Sequence, residues 1–327
     1  MPRIVRMQDV GGPEVLAIEE LEVRRPGPGE VRIKVGAIGL NRTEIMYREG
    51  EHGMPELPSM LGYEAAGTIE AVGSGVTDFA VGDRVATIPG LAMDVYGTYG
   101  DTILYRADML VGTPDKQSDL EAAASWMQYL TAYAILAFRP IMRGDPVVIT
   151  AASSSVGLAA IQIANAEGGV PIAVTRGPGK VDRLLAQGAA HVIVSEEQDV
   201  TAEIHRLTGD AGAAIVFDAV GGEGLPALLA GLRTGGLAIL YGLLGGEMAL
   251  VPAKLMTAAN LTIEGYAVNH LLAVPEQRDE ALRYITQGLD SGTLHPVVDR
   301  VFDLSEIVEA HRYLESGRQL GKIVVVA

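Results

Sequence analysis

Between Val147 and Tyr241 the chain alternates short Val/Ile-rich runs with segments of helical period. The runs lie at Val147–Thr150, Pro171–Thr175, His191–Val194, Ala214–Asp218 and Gly236–Tyr241, and they are continuous rather than alternating in polarity. A strand without a polar face must be covered on both sides. Helices between consecutive strands give that cover when the sheet is parallel. Helical segments fit the gaps, for example Lys180–Gln187 and Val200–Leu207. The pattern predicts a doubly wound α/β unit.

The chain on either side reads differently. "EVRIKVGAIGLN" (Glu30–Asn41) alternates apolar and polar residues and turns at Gly39. "AAGTIEAVG" and "VGDRVATI" are further strands bounded by glycines and by Asp83. The first third is therefore expected to be a β-rich domain with few helices. "SDLEAAASWMQYLTAYAILAF" follows as a helix, with Ser118 and Glu121 as its capping box. After about Asn260 the mixed pattern returns, and "GKIVVVA" closes the chain as a strand expected to rejoin the first domain. The expected division is residues 1–120 with 265–327, and residues 121–264 as the doubly wound domain. "AVNHLLAVPEQ" (Ala267–Gln277) is expected to be a loop that bears on specificity.

Bulk properties narrow the function. The 327 residues suit about two domains, and 48% hydrophobic content is ample for their cores. No run of about 18 apolar residues is present, so a membrane span is not expected. The N-terminal "MPRIVRMQDVGG" lacks the apolar stretch of a signal peptide, which suggests a cytoplasmic protein. A net charge of -16 opposes nucleic acid and anionic membranes as partners. With no cysteine, disulfides, thiolate chemistry and cysteine-ligated metals are all excluded. Of the six histidines, His191, His205, His270, His295 and His311 are dispersed, without metal-ligand spacing.

"VVITAASSSVGLAAIQIA" (Val147–Ala164) has the form of a strand, a tight turn and a helix. Such a turn presents free N–H groups and the positive end of the helix dipole to a pyrophosphate. Serines occupy positions where glycine is usual, and an ordinary capped helix would look much the same. The next strand adds information. A site for NAD usually ends its second strand on an acid that binds the ribose hydroxyls. Here that strand ends "AVTRGPGK", with Thr175 and Arg176 in place of the acid and Lys180 one turn on. These cations would pair with a ribose 2′-phosphate, which points to NADPH.

Taken together, "GLNRTEIMYREG", "LGYEAAGTIEAVGSGV", "VGDRV", "WMQYLTAY", "AASSSVGLAAIQIA", "VFDAVGG" and "GKIVV" resemble, in order, the medium-chain dehydrogenase/reductase superfamily. The resemblance is to its zinc-independent quinone oxidoreductase branch. It implies a GroES-like β-rich catalytic domain, an inserted Rossmann domain, hydride transfer from NADPH to a small molecule, and a homodimer. It also implies site residues. Ser154, Ser155, Val156 and Gly157 would meet the pyrophosphate, and Arg176 and Lys180 the 2′-phosphate. Asp218, Ala219 and Val220 would line the adenosine and ribose side. Tyr241, Gly242 and Leu243 would pass near the nicotinamide, with Asn41 facing its ribose and the substrate. Zinc-dependent members carry a "GHE" motif, and this chain reads Gly62-Tyr63-Glu64 there, with Met127 near another ligand position. No metal is therefore expected.

Without a Lewis acid the suitable acceptors are already electrophilic, such as quinones and α,β-unsaturated carbonyls. Tyr63 and Tyr47 are the candidates to bind the carbonyl or donate a proton. Packing beneath the cleft for Tyr63, and a place at its rim for Tyr47, account for them equally well. Trp126, Met127 and Tyr129 share one apolar helix and read as core. Two alternatives stand beside ene reduction. One is an enoyl reductase acting on a thioester, which would use Arg42 or Arg48 to hold a phosphate. The other is a non-enzymatic NADPH-binding protein.

Overall fold

The computed structural model describes residues 1–51 and 53–327. They form two compact units, Met1–Met127 with His295–Ala327, and Gln128–Leu294. The first unit includes β1 (Glu30–Gly39), α1 (Arg42–Arg48), β2 (Glu64–Val72), β3 (Arg84–Thr87), β4 (Thr102–Arg106) and β5 (Leu110–Gly112). The second unit contains β6 (Pro146–Ile149), α2 (Ser155–Ala166), β7 (Val170–Thr175), β8 (His191–Val194), β9 (Ala213–Asp218), β10 (Leu232–Leu240), β11 (Thr262–Gly265) and α3 (Pro275–Ser291). The chain then returns to the first unit as β12 (Val298–Asp303), α4 (Ile307–Glu315) and β13 (Lys322–Val326).

The second unit is the doubly wound sheet that its apolar runs predict. Six strands lie in the order β8-β7-β6-β9-β10-β11, and every pairing is parallel. Val147, Val148 and Ile149 of β6 and Val216 and Phe217 of β9 are all fully buried, as strands covered on both faces must be. The order reverses at β6, whose neighbours are β7 and β9, so the turn after β6 opens at the switch point where such sheets bind ligands.

The first unit is built on a seven-stranded sheet, β12-β13-β1-β2-β3-β5, with β4 paired to β1. Its long strand β1 alternates as read, and β13 runs antiparallel to it with Val324 opposite Gly39. Gly39 also lies opposite Glu64. A side chain at Gly39 would strike the carbonyl of Ala123 at 2.0 Å and Lys322 Cε at 2.8 Å, so glycine is required there.

Two local expectations are corrected. The segment after Ser118 is not one helix but three short ones, Asp119–Ala122, Trp126–Ala132 and Ala134–Ala137. The capping box is present, with Glu121 Oε2 accepting from Ser118 N–H at 2.8 Å. The ladder breaks because Met127 N–H donates to Glu64 Oε1 at 3.2 Å, and Ser125 Oγ donates to the Glu121 carbonyl at 2.6 Å. Ala267–Gln277 is likewise not a loop. It holds a helix at Val268–Leu272 and the start of α3, where Pro275 takes the first position, at which its missing N–H costs nothing. This stretch belongs to the second unit, which runs to Leu294 instead of ending at 264. Two hydroxyl bonds tie it there, Tyr266 to the Leu130 carbonyl at 2.7 Å and Tyr284 to Glu167 at 2.8 Å. Among the described residues no helix is long and apolar enough to cross a membrane.

Candidate active site

In the second unit, Ser154 caps α2. Its Oγ accepts from Gly157 N–H at 3.0 Å, a bond worth about 1 kcal/mol at such a position. A Cβ on Gly157 would lie 2.6 Å from the Ala152 backbone, so the helix can approach its own turn only with glycine there. Ala151 bends the chain with a φ of 45°, in the left-handed region. Among the described residues, the N–H groups of Ser155 and Val156 donate to no carbonyl or side chain. The serine turn thus offers two free backbone donors at a helix N-terminus. The Ser154 hydroxyl is occupied as a cap acceptor and lies beside the Tyr241 hydroxyl.

The cations beside this turn stand as the sequence suggests. Lys180 Nζ donates to Ser153 Oγ at 2.9 Å, which ties it to the turn. Arg176 is exposed and makes no ion pair among the described residues. Asp218 ends β9. It is fully buried, and its carboxylate accepts from Thr150 Oγ1 at 2.6 Å and from the N–H groups of Val220 and Gly221, each at 2.9 Å. Those bonds shape the Val220 turn. Val220 and Gly242 lie where two glycine-rich turns meet. Gly245 N–H donates to the Val220 carbonyl at 2.7 Å, and a Cβ on Gly242 would sit 2.6 Å from the Ala219 carbonyl oxygen. Leu243 is half-exposed on this turn. The Tyr241 ring stacks on Phe217 with centroids 4.0 Å apart, its hydroxyl buried and its pKa raised by that burial.

The first unit gathers a buried polar centre. Lys322 Nζ donates to Glu64 Oε2 at 2.5 Å and to Asn41 Oδ1 at 2.6 Å, and neither charged side chain is more than 1% exposed. Asn41 Nδ2 donates to the Gly39 carbonyl at 3.1 Å and to Glu44 Oε1 at 3.0 Å. Both amide hydrogens of Asn41 are therefore used within the protein. Those bonds anchor it between β1, α1 and β13. Glu44 also accepts from Asn41 N–H at 2.7 Å, Tyr63 N–H at 3.1 Å and Tyr99 Oη at 2.6 Å. All four contacts are donors, the pattern an ionised carboxylate needs, while burial pushes its pKa upward. Because the Tyr99 proton goes to Glu44, the 3.2 Å contact with His311 is donated by the ring Nε2–H. Burial, with Arg48 beside it, holds His311 down to about 3, so its ring is neutral.

The two tyrosines proposed from the sequence separate clearly. Ser59 Oγ donates to the Met60 carbonyl at 2.8 Å, so the 2.8 Å contact between Tyr47 and Ser59 must be donated by Tyr47. The Tyr47 proton is thus committed. The Tyr63 hydroxyl has no hydrogen-bond partner among the described residues, and burial with nearby Glu44 pushes its pKa up to about 12. Arg48 is fully buried and paired with Glu49 at 2.9 Å and Glu315 at 2.5 Å, which removes it as a phosphate ligand. Arg42 is exposed. Trp126, Met127 and Tyr129 are buried, as core residues should be.

Comparison with known proteins places this geometry. A profile for the alcohol dehydrogenase GroES-like domain matches residues 27–115, and one described as zinc-binding dehydrogenase matches residues 187–325. The 2-haloacrylate reductase of a Burkholderia species is 32% identical over 97% of this chain and 96% of its own length. The chain belongs to the medium-chain dehydrogenase/reductase superfamily, in its zinc-independent quinone oxidoreductase branch. A quinone oxidoreductase of Pseudomonas aeruginosa is 31% identical over the whole of both chains. The crystal structure of Escherichia coli quinone oxidoreductase complexed with NADPH superposes with a TM-score of 0.92 at 29% identity, covering both chains fully. As a medium-chain dehydrogenase/reductase, this protein is an oxidoreductase that uses a nicotinamide cofactor. In the position of the superfamily's "GHE" motif it holds Tyr63 with a free hydroxyl and Glu64 in an ion pair with Lys322. Four members of the centre, Glu44, Tyr99, His311 and Lys322, were not singled out as site residues from the sequence. Only Glu44 left a readable signal there, three residues after Asn41 in the spacing of a capping box.

Proposed function

We propose that the chain is an NADPH-dependent reductase of quinones or α,β-unsaturated carbonyls. The observation that carries the cofactor assignment is the cationic end of β7. The strand ends in Thr175 and Arg176 instead of an acid, Arg176 is exposed without an ion pair among the described residues, and Lys180 is held against the serine turn. The free N–H groups of Ser155 and Val156 suit a pyrophosphate, and the Val220, Gly242 and Leu243 turns suit the wall of the nucleotide groove. A relative that reduces 2-haloacrylate and quinone oxidoreductases, one of them complexed with NADPH, support this reading.

Bound NADPH supplies a hydride for the β-carbon of the acceptor. Tyr63 donates a hydrogen bond to the carbonyl oxygen, where negative charge collects as the β-carbon is reduced. A phenol held up to about 12 keeps its own proton at neutral pH, so it stabilises the oxygen and water supplies the proton to the α-carbon. Tyr47 and Asn41 shape the surroundings through Ser59 and Lys322 and donate nothing to the acceptor.

The decisive experiment is NADPH consumption, with product identification, against a panel of quinones, enones and enoyl thioesters. Turnover of enones or quinones is expected. Turnover confined to thioesters would favour the carrier-bound substrate, with Arg42 as the remaining cation for its phosphate. Tight NADPH binding with no turnover would overturn the reading in favour of a binding protein. In the same assay, Arg176→Ala should weaken NADPH at least tenfold and leave NADH nearly unchanged. Equal wild-type affinity for the two cofactors would refute the NADPH assignment. The protein is further proposed to pair as a homodimer along β11, the outer strand of its sheet. Sedimentation that gives one chain's mass at micromolar concentration would exclude this.

A further inference from the structure

We propose that Glu44 is a positioning residue that fixes where the Tyr63 phenol stands. The inference rests on the reading of Tyr63 given above and adds the group through which its placement is set. Tyr63 is held by its backbone and not by its side chain. Its N–H donates to Glu44 Oε1 at 3.1 Å, and its carbonyl accepts from Thr87 Oγ1 at 3.0 Å. The preceding Gly62 has a φ of 107°, and a Cβ there would lie 2.4 Å from both Thr98 Oγ1 and the Tyr99 ring. The backbone is thus pressed onto Tyr99, and the Tyr99 hydroxyl is bound to the same Glu44 at 2.6 Å.

Glu44 is the common element of these restraints. Its two oxygens take four donors, Tyr63 N–H and Asn41 Nδ2 on one, Asn41 N–H and Tyr99 Oη on the other. It is fully buried, so no water competes for those lone pairs. A carboxylate is suited to this place because it accepts at every site, whereas an amide would set its own N–H groups against donors. The side chain lies on α1, while the residues it binds lie at the start of that helix, before β2, and at Tyr99. One carboxylate therefore joins three segments around a phenol that keeps its own hydroxyl free. Near an acceptor, a displacement of 1 Å is enough to cost about 100-fold in rate. Glu44 does not itself reach the acceptor in this proposal.

A double-mutant cycle tests it. Single-turnover rates with an enone, at saturating NADPH, are measured for Glu44→Gln, Tyr63→Phe and the pair. Glu44→Gln is expected to lower the rate about tenfold with the KM for NADPH unchanged. In the Tyr63→Phe background the same change should cost less than about twofold, because the phenol it positions is gone. Equal losses in both backgrounds would overturn the positioning role and leave the Tyr63 reading intact. A wild-type rate for Tyr63→Phe alone would instead overturn the Tyr63 reading, and this proposal with it. Tyr99→Phe carries the cycle if Glu44→Gln does not fold. It removes one donor to Glu44 and the acceptor of the His311 Nε2–H while keeping the ring, with an expected loss of about threefold that also vanishes beside Tyr63→Phe.

Discussion

Tyr63→Phe is expected to lower kcat for an enone about 100-fold, while Tyr47→Phe stays within about threefold of the wild type. The contrast follows from where each proton is committed. Tyr47 donates to Ser59, whose own hydrogen goes to the Met60 carbonyl, so its phenol has none to spare for an acceptor. Removing it costs one internal hydrogen bond. Tyr63 has a hydroxyl without a partner and a pKa held near 12 by burial and by Glu44, which makes it a donor that stays protonated through the neutral range. Removing one preorganised donor from a developing oxyanion costs about 3 kcal/mol, which is the stated factor. The loss should appear in kcat and in kcat/KM alike, because the bond strengthens as charge develops. Stopped-flow absorbance at the NADPH band checks it. A large loss for Tyr47→Phe with none for Tyr63→Phe would reverse the assignment.

How much of this could be read in advance depended on the range of the interaction. The parallel sheet was plain in the sequence because burial on both faces writes itself as continuous apolar runs, and the strand expected at His191–Val194 has those bounds. The serine turn was readable as a helix start for a local reason too. The cap of Ser154 and the glycine requirement at Gly157 lie within a few residues of each other. The bonds of Asp218 were not readable, because its place at the end of β9 is common to a ribose ligand and to a turn acceptor. In the fold, the N–H groups of Val220 and Gly221 claim its oxygens. The bonds of Asn41 were hidden similarly. The partner that commits its oxygen, Lys322, is 281 positions away. Tyr99 meets His311 across 212 positions. Contacts of that separation leave no periodic trace in one chain, and buried charges such as Lys322 and Glu44 look in sequence like any surface residue. The helix expected after Ser118 failed for the same reason, since the group that diverts Met127 N–H is Glu64 on another strand.

Lys322→Met is expected to destabilise the first unit by about 3–5 kcal/mol, and Lys322→Met combined with Glu64→Gln to recover most of that loss. Lys322 and Glu64 are essentially unexposed, and their 2.5 Å contact is made without solvent. Forming such a pair gains little net stability, because the desolvation of two ions nearly offsets their attraction. Removing one partner is another matter. Without Lys322, the Glu64 carboxylate keeps only Met127 N–H at 3.2 Å, and Asn41 Oδ1 loses its 2.6 Å donor. A buried charge is then left uncompensated. Glutamine at 64 removes that charge, keeps an oxygen for Met127 N–H, and turns an amide donor toward the side that the ammonium occupied. Thermal unfolding of the wild type, both single variants and the pair gives the cycle. The single variant should melt roughly 10 °C lower, at about 2–4 °C per kcal/mol for a unit of this size. The coupling between the two positions should be of the same order as the single loss. Additive losses in the pair would mean that each side chain stabilises the fold through its other contacts. The ion pair would then be incidental to holding β13 against β1 and β2.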